Sequence, residues 1–263
     1  RKGHLKALAV TASSYSSGEH VTFFESAEPV KPWERSQRKA ARDRITHEHL
    51  LASSAIPFIF PAKGIEVDDH IEYFGDGSMR QSAPIAPAIH LGAERILVIG
   101  AGRMHEPKND AAVNPTPNYP SLAQIAGHAL SNIFLDALSV DVERVQRINQ
   151  TLSLIPEEKR THSALRPIEL LVIAPSQRLD AVAARHVGDL PTPVRTMLGA
   201  LGVTSNMADV RGAALASYLL FEAGYTQELM ALGRADTLAM RAQVCQFFGW
   251  TDTGAEVRTQ LHQ

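Results

Sequence analysis

Two short, largely apolar runs on either side of one long helical pattern constrain this chain most. Ile96-Leu97-Val98-Ile99, inside Arg95 to Gly100, and Ile168 to Ile173, between Pro167 and Pro175, have the pattern of strands buried on both faces. Between them, from Ser121 to Asn149, the residues Leu122, Ile125, Ala129, Ile133, Ala137, Val142, Val145 and Ile148 recur at three- and four-residue spacings, which predicts a long helix. A shorter helix is expected from Pro84 to Leu91, closed by Gly92. Buried strands alternating with helices argue for a three-layer α/β/α domain.

The flanks extend this reading. Leu5 to Thr11 and His20 to Phe24 read as adjacent strands, separated by a Ser-rich segment. Lys31 to Arg44 is basic and polar and is expected to be a surface loop entering a helix. Thr46 is placed to cap a helix through Leu50, Leu51 and Ala52 that Pro57 ends, and Phe58 to Tyr73 suggests a short β excursion. Met104 to Pro120 contains four prolines and reads as a loop. Helices are expected over Met207 to Glu222, Thr226 to Leu232 and Asp236 to Phe248, the last closed by Gly249.

At 263 residues, 44% hydrophobic and 21% charged, the chain can bury a sizeable core. The formal net charge of -2, with scattered Lys and Arg, argues against nucleic acid as a partner. The single Cys245 allows no intrachain disulfide, which suits the reducing cytoplasm. No apolar run reaches the length needed to cross a bilayer, so a soluble protein is expected. The chain opens without methionine and passes almost at once into a strand, which leads us to expect an upstream region.

Several chemical signals are weak. Gly100-Ala101-Gly102 resembles the start of a dinucleotide fingerprint, but His105 stands at the third glycine and Pro107 interrupts any helix. Ser36-Gln37-Arg38-Lys39 matches a Ser-x-x-Lys spacing alone. The histidines of His47-Glu48-His49 diverge by about 200° on a helix, so a solvated face explains them better than a metal site. Asp68-Asp69-His70 reads as a polar turn. The sequence contains no Gly-x-Ser-x-Gly, and Ser14-Tyr15-Ser16-Ser17-Gly18 reads as a Ser-rich loop.

Gly75-Asp76-Gly77-Ser78 is an ordinary turn sequence by itself. Its setting is more specific. Leu51-Ala52-Ser53-Ser54-Ala55-Ile56-Pro57-Phe58-Ile59-Phe60-Pro61, then Phe74-Gly75-Asp76-Gly77-Ser78, Ala83-Pro84-Ile85 and Leu91-Gly92-Ala93-Glu94-Arg95-Ile96-Leu97-Val98 resemble, in order and spacing, blocks of the patatin-like lipid acyl hydrolases. The resemblance covers Leu5 to about Gly102, with a weaker echo at Ser217 to Glu222. It implies that residues 1–175 are the C-terminal portion of a patatin-like catalytic domain and that residues 176–263 are a helical region packed on it.

For chemistry, the resemblance implies a Ser-Asp dyad acting on a lipid or fatty-acyl ester, with Asp76 as the general base, Gly75, Gly77 and Ser78 supporting it, and no cofactor or metal. The serine nucleophile and the oxyanion loop then belong to an upstream segment. Ser78 departs from the family's usual glycine or alanine, and its hydroxyl is placed to alter the basicity of Asp76. Two rivals stand beside this reading: a catalytically inactive patatin-fold module for lipid binding or interaction, and an unrelated α/β protein holding a nucleotide phosphate at Gly100-Ala101-Gly102. The C-terminal helices, with Phe221, Leu229, Leu232, Phe247, Phe248 and Trp250, suit peripheral contact with a membrane or a partner subunit, although such a stripe more often packs on its own core, and the oligomeric state stays open.

Overall fold

The computed structural model of the chain describes residues 3–57, 59–81, 83–104, 122–160, 165–200 and 210–252. Strands β1 (Ala7–Ser14) and β2 (His20–Ser26) form where the sequence predicts them and pair antiparallel from Ala7↔Ser26 to Ser13↔His20. The next segment corrects the expected loop and helix over Lys31 to Arg44. It is a hairpin of β3 (Glu34–Arg35) and β4 (Arg38–Arg42), with Gln37 of the turn at φ 60, and β4 runs parallel to β2 from His20↔Arg38 to Phe24↔Arg42. The basic sequence carries no strand alternation; β4 forms because β2 presents an edge of backbone groups that need partners. The N–H of His20 donates to the Gln37 carbonyl at 3.0 Å beside it.

Helix α1 (His47–Ser53) starts after Thr46, whose backbone N–H donates to His49 Nδ1 at 3.2 Å. The solvated face expected for His47-Glu48-His49 is therefore corrected at His49. That residue is only 4% exposed, and its ring meets Phe23 edge-on at 4.6 Å, because the imidazole both fills the core and caps the helix. Strands β5 (Lys63–Val67) and β6 (His70–Asp76) pair antiparallel around Asp68 and Asp69, at φ 48 and 66. Two successive positive φ values define the tight hairpin turn that matches strand twist. Asp68-Asp69-His70 is thus the polar turn the sequence suggests.

These strands make one six-stranded sheet in the order β3-β4-β2-β1-β6-β5, in which only the β2–β4 pair is parallel. One face buries Ala12, Val21, Phe23, Ile65, Val67 and Phe74 against Ala52 of α1. By strand alternation the opposite face carries Thr11, Ser13, His20, Thr22 and Phe24. After β6 the chain makes a 3-10 turn (Gly77–Arg80), helix α2 (Ala86–His90), strand β7 (Arg95–Ile99) and helix α3 (Leu122–Ser153). The expected loop from Met104 to Pro120 lies outside the described residues apart from Met104.

Helix α4 (Glu157–Arg160) and strand β8 (Glu169–Ile173) follow, and β8 pairs with β7 as a separate two-stranded sheet. The expectation that the run Ile96 to Ile99 is buried on both faces is corrected: Leu97 is 39% and Ile99 79% exposed, because no further described strand extends that sheet. Among the described residues that follow, the elements are helical: α5 (Leu179–His186), α6 (Thr192–Ala200), α7 (Val210–Ser217), α8 (Ala223–Ala239) and α9 (Arg241–Phe248). The helices expected over Thr226–Leu232 and from Asp236 divide instead at Met240, since Gly233 is tolerated inside α8 at a cost of about 1 kcal/mol. Gly249, at φ 67, closes α9 as expected. The chain is mixed α/β.

The chain divides into two compact units, Arg1–Ile96 with Asp136–Ile168, and Leu97–Leu135 with Glu169–Gln263. In the first, Asn149 of α3 exchanges two hydrogen bonds with the backbone of Ile168, at 2.7 and 3.0 Å, and Asp141 Oδ2 accepts from the Ile85 N–H at 2.9 Å. In the second, α5 buries Val182 and Ala183 and packs on α7 and α8. Among the described residues, no helix is long and apolar enough to cross a membrane.

Candidate active site

Asp76 ends β6, opposite Ala12 of β1, and caps the 3-10 turn that follows. Its side chain reaches back so that Oδ1 accepts from the Ser78 N–H at 2.8 Å. Its own N–H donates to the carbonyl of Ala55 at 3.0 Å. Two blocks that lie apart in the sequence, Ala52 to Pro57 and Phe74 to Ser78, are therefore joined through the backbone. The aspartate is 8% exposed, and burial pushes its carboxyl above the usual carboxylate value against the opposing pull of the Ser78 backbone and hydroxyl. That opposition is the effect anticipated for Ser78.

The flanking glycines have a specific reason. A Cβ on Gly75 would lie 2.4 Å from the Tyr15 hydroxyl oxygen, and one on Gly77 would lie 2.4 Å from the Thr11 carbonyl oxygen. Neither glycine has a positive φ, so close approach to β1 demands them, not turn conformation. Tyr15 covers Gly75, and burial, followed by the nearby Asp76 charge, raises its phenol above the ordinary value. Nothing in the local sequence marks Tyr15 or Thr11; only the register of β1 against β6 brings them here.

Beneath this turn lies a second set that the sequence did not reveal. Ser13 and His20 face each other across β1 and β2, Ser13 also opposes Gly75, and both are almost fully buried. Ser13 Oγ and His20 Nδ1 have no hydrogen-bond partner. Burial, reinforced by Arg38, lowers His20 to about 4, with the Gly77 backbone pulling the other way. The imidazole is therefore neutral at physiological pH.

The remaining candidates resolve into structural roles. Ser14 Oγ donates to Glu72 Oε2 at 2.6 Å and accepts from the N–H groups of Ser16 and Ser17, while His70 Nε2 contacts the other Glu72 oxygen at 3.1 Å. The carboxylate sits between serine and imidazole, so His70 is not placed to take the Ser14 proton and no hydrolase triad is formed. Ser36 and Lys39 flank the turn region of the β3–β4 hairpin, and no helix carries them. Gly100 follows β7, its N–H donating to Ile173 O at 2.8 Å. No group of three or more His, Cys, Asp or Glu among the described residues is placed to hold a metal ion.

The arrangement supplies a largely desolvated carboxyl, raised above the ordinary value by burial, at a strand end tied by its backbone to Ala55. It supplies no activated serine among the described residues. Comparison of the chain with protein-family models, with curated proteins and with solved structures found no match.

Proposed function

We propose that this chain is the base-bearing part of a patatin-like lipid acyl hydrolase with a three-layer α/β/α catalytic domain. The observation that carries the reading is the placement of Asp76: it is buried at a strand end, raised in basicity, flanked by two glycines that close packing requires, and bonded through its backbone to Ala55. A carboxylate raised by desolvation takes a proton better than an exposed one, which is what a base acting without histidine requires.

In this reading a serine from a segment outside these 263 residues attacks the acyl carbonyl of a fatty-acyl ester as its hydroxyl proton passes to Asp76. The ester C–O bond breaks, the departing alkoxide takes the proton, and water then releases the fatty acid from the serine by the same steps in reverse order of roles. Ser78 holds the carboxylate orientation through its N–H, which donates to Asp76 Oδ1.

A second reading is a patatin-fold module that binds lipid without turning it over. Labelling of the intact protein by a fluorophosphonate, together with ester hydrolysis by wild type and Asp76→Asn, separates the two. Labelling with a loss of turnover on substitution supports the hydrolase. No labelling and no turnover, with lipid binding retained, supports the module.

A further inference from the structure

The two faces of the β3–β4 hairpin handle charge differently. On one, Glu34 opposes Lys39, and Lys39 Nζ is ion-paired with Asp68 at 2.5 Å. On the other, Arg35 opposes Arg38 directly. Like charges set opposite one another across a pair of strands are destabilising. Among the described residues, neither guanidinium has a carboxylate partner within ion-pair distance.

Further groups gather here. Trp33 stacks on Phe24 with ring centroids 5.2 Å apart, and His90 stacks on Trp33 at 4.6 Å and 14°. Arg166 Nη2 donates to the carbonyls of Ile89 and Ala93 at 2.8 and 3.3 Å, leaving its buried Nε without a partner. Burial lowers His90, and Arg35, Arg38 and Arg166 lower it further, with no carboxylate acting against them. Arg35 is exposed, and Arg38, Trp33 and His90 are half-buried, so a solute can reach them.

We infer that Arg35, Arg38 and His90, on the face where Trp33 stacks with Phe24 and His90, form a binding site for a phosphate-bearing anion. Guanidinium groups present paired N–H donors that match phosphate oxygens, and a bound dianion relieves the Arg35–Arg38 opposition. The site shares its sheet face with Ser13 and with Gly75, the residue before Asp76: Arg38 neighbours His20, His20 neighbours Ser13, and Ser13 opposes Gly75, whereas Asp76 opposes Ala12 of the other face. Three strand spacings, about 14 Å, separate the Arg38 and Gly75 backbones. A phosphate on a lipid headgroup and free phosphate offer the same chemistry. Binding needs no ester hydrolysis, so this inference stands or falls apart from the role of Asp76.

The test uses the full chain. The His90 imidazole is titrated by NMR with and without inorganic phosphate, and sedimentation is measured with phosphatidylcholine vesicles that contain or lack phosphatidic acid. Phosphate is expected to raise the His90 titration midpoint. Arg35→Gln and Arg38→Gln are each expected to weaken binding roughly tenfold, and Arg38→Lys less than that. These are surface positions, and circular dichroism confirms that the variants fold. Phosphate binding alone identifies a free phosphate ligand, and phosphatidic-acid-dependent sedimentation lost in Arg38→Gln identifies a headgroup; either supports the site. Failure of both ligands, or binding unchanged in an Arg35→Gln/Arg38→Gln double variant, overturns it.

Discussion

His20 in the first unit and His186 in the second are the same side chain held in opposite ways. His20 is buried beside the Asp76 turn with Nδ1 unpartnered and is driven down to about 4 by burial and Arg38. His186, at the end of α5, contacts Asp189 through Nδ1 at 2.8 Å and Glu228 of α8 through Nε2 at 2.7 Å, and these carboxylates raise it. Arg185 joins Glu228 as well. At His186 the imidazole and the Arg185 guanidinium each meet a carboxylate, and the result is a tie between α5 and α8. Around Asp76 polar groups are desolvated and left partly unmatched, an arrangement that folding alone does not favour and that the proposed chemistry would use.

The sharpest break in that comparison comes from Asp76→Asn. In the intact protein, ester turnover is expected to fall by roughly 10²–10⁴. Asparagine keeps the cap to Ser78, and the raised carboxyl favours the fold only while protonated. That contribution is present below the ordinary value of 3.8 and is lost as pH rises through the higher folded value, so at neutral pH the variant should melt no lower than wild type. A loss of both activity and melting temperature would make Asp76 a structural residue, like Glu72.

Gly77→Ala comes next. Its methyl meets the Thr11 carbonyl, which is backbone and yields little, so urea unfolding should show a loss of about 1–3 kcal/mol. Gly75→Ala should lose less, because the obstructing Tyr15 ring is half exposed and free to swing aside. Equal losses would contradict the packing described for the turn.

The histidines then separate by the sign of their pH dependence. His20 binds its proton more readily when unfolded, so its contribution is complete above about pH 6.5 and declines as pH falls toward about 4. His20→Gln should flatten that acid limb, by at most about 1.4 kcal/mol per pH unit, in urea unfolding followed across the same range. His186 has the opposite sign: its contribution is present below about pH 6.5 and fades as pH rises through its elevated folded value. Because Glu228 and Asp189 are partly solvent-screened, Glu228→Gln should cost less than about 1 kcal/mol, and mainly at the acidic end of thermal melts.

Legibility followed the range of the interactions. Leu122–Ser153 was readable because its apolar spacing repeats every turn, and the Asp68-Asp69 turn and the Gly249 cap because each is a local φ requirement. Strand β4 was not: Arg38-Lys39-Ala40-Ala41-Arg42 has no strand pattern and becomes one only beside β2. His49 misled because its burial is decided by Phe23, which lies 26 positions earlier in the chain. At the site, Asp76 and its glycines were visible in the sequence, whereas Ser13, Tyr15, His20 and the opposed Arg35 and Arg38 were not.

The sequence by itself determined where backbone preference and short-range periodicity act: the long helix, the tight turns, and the aspartate set between two small residues. Only the tertiary structure decided that those glycines lie against Tyr15 and Thr11, that Asp76 is tied to Ala55, and that two arginines face each other without an acid. The physical reason is that strand pairing joins residues through register. A one-residue shift would carry every one of these side chains to the other face while leaving the local sequence signals unchanged.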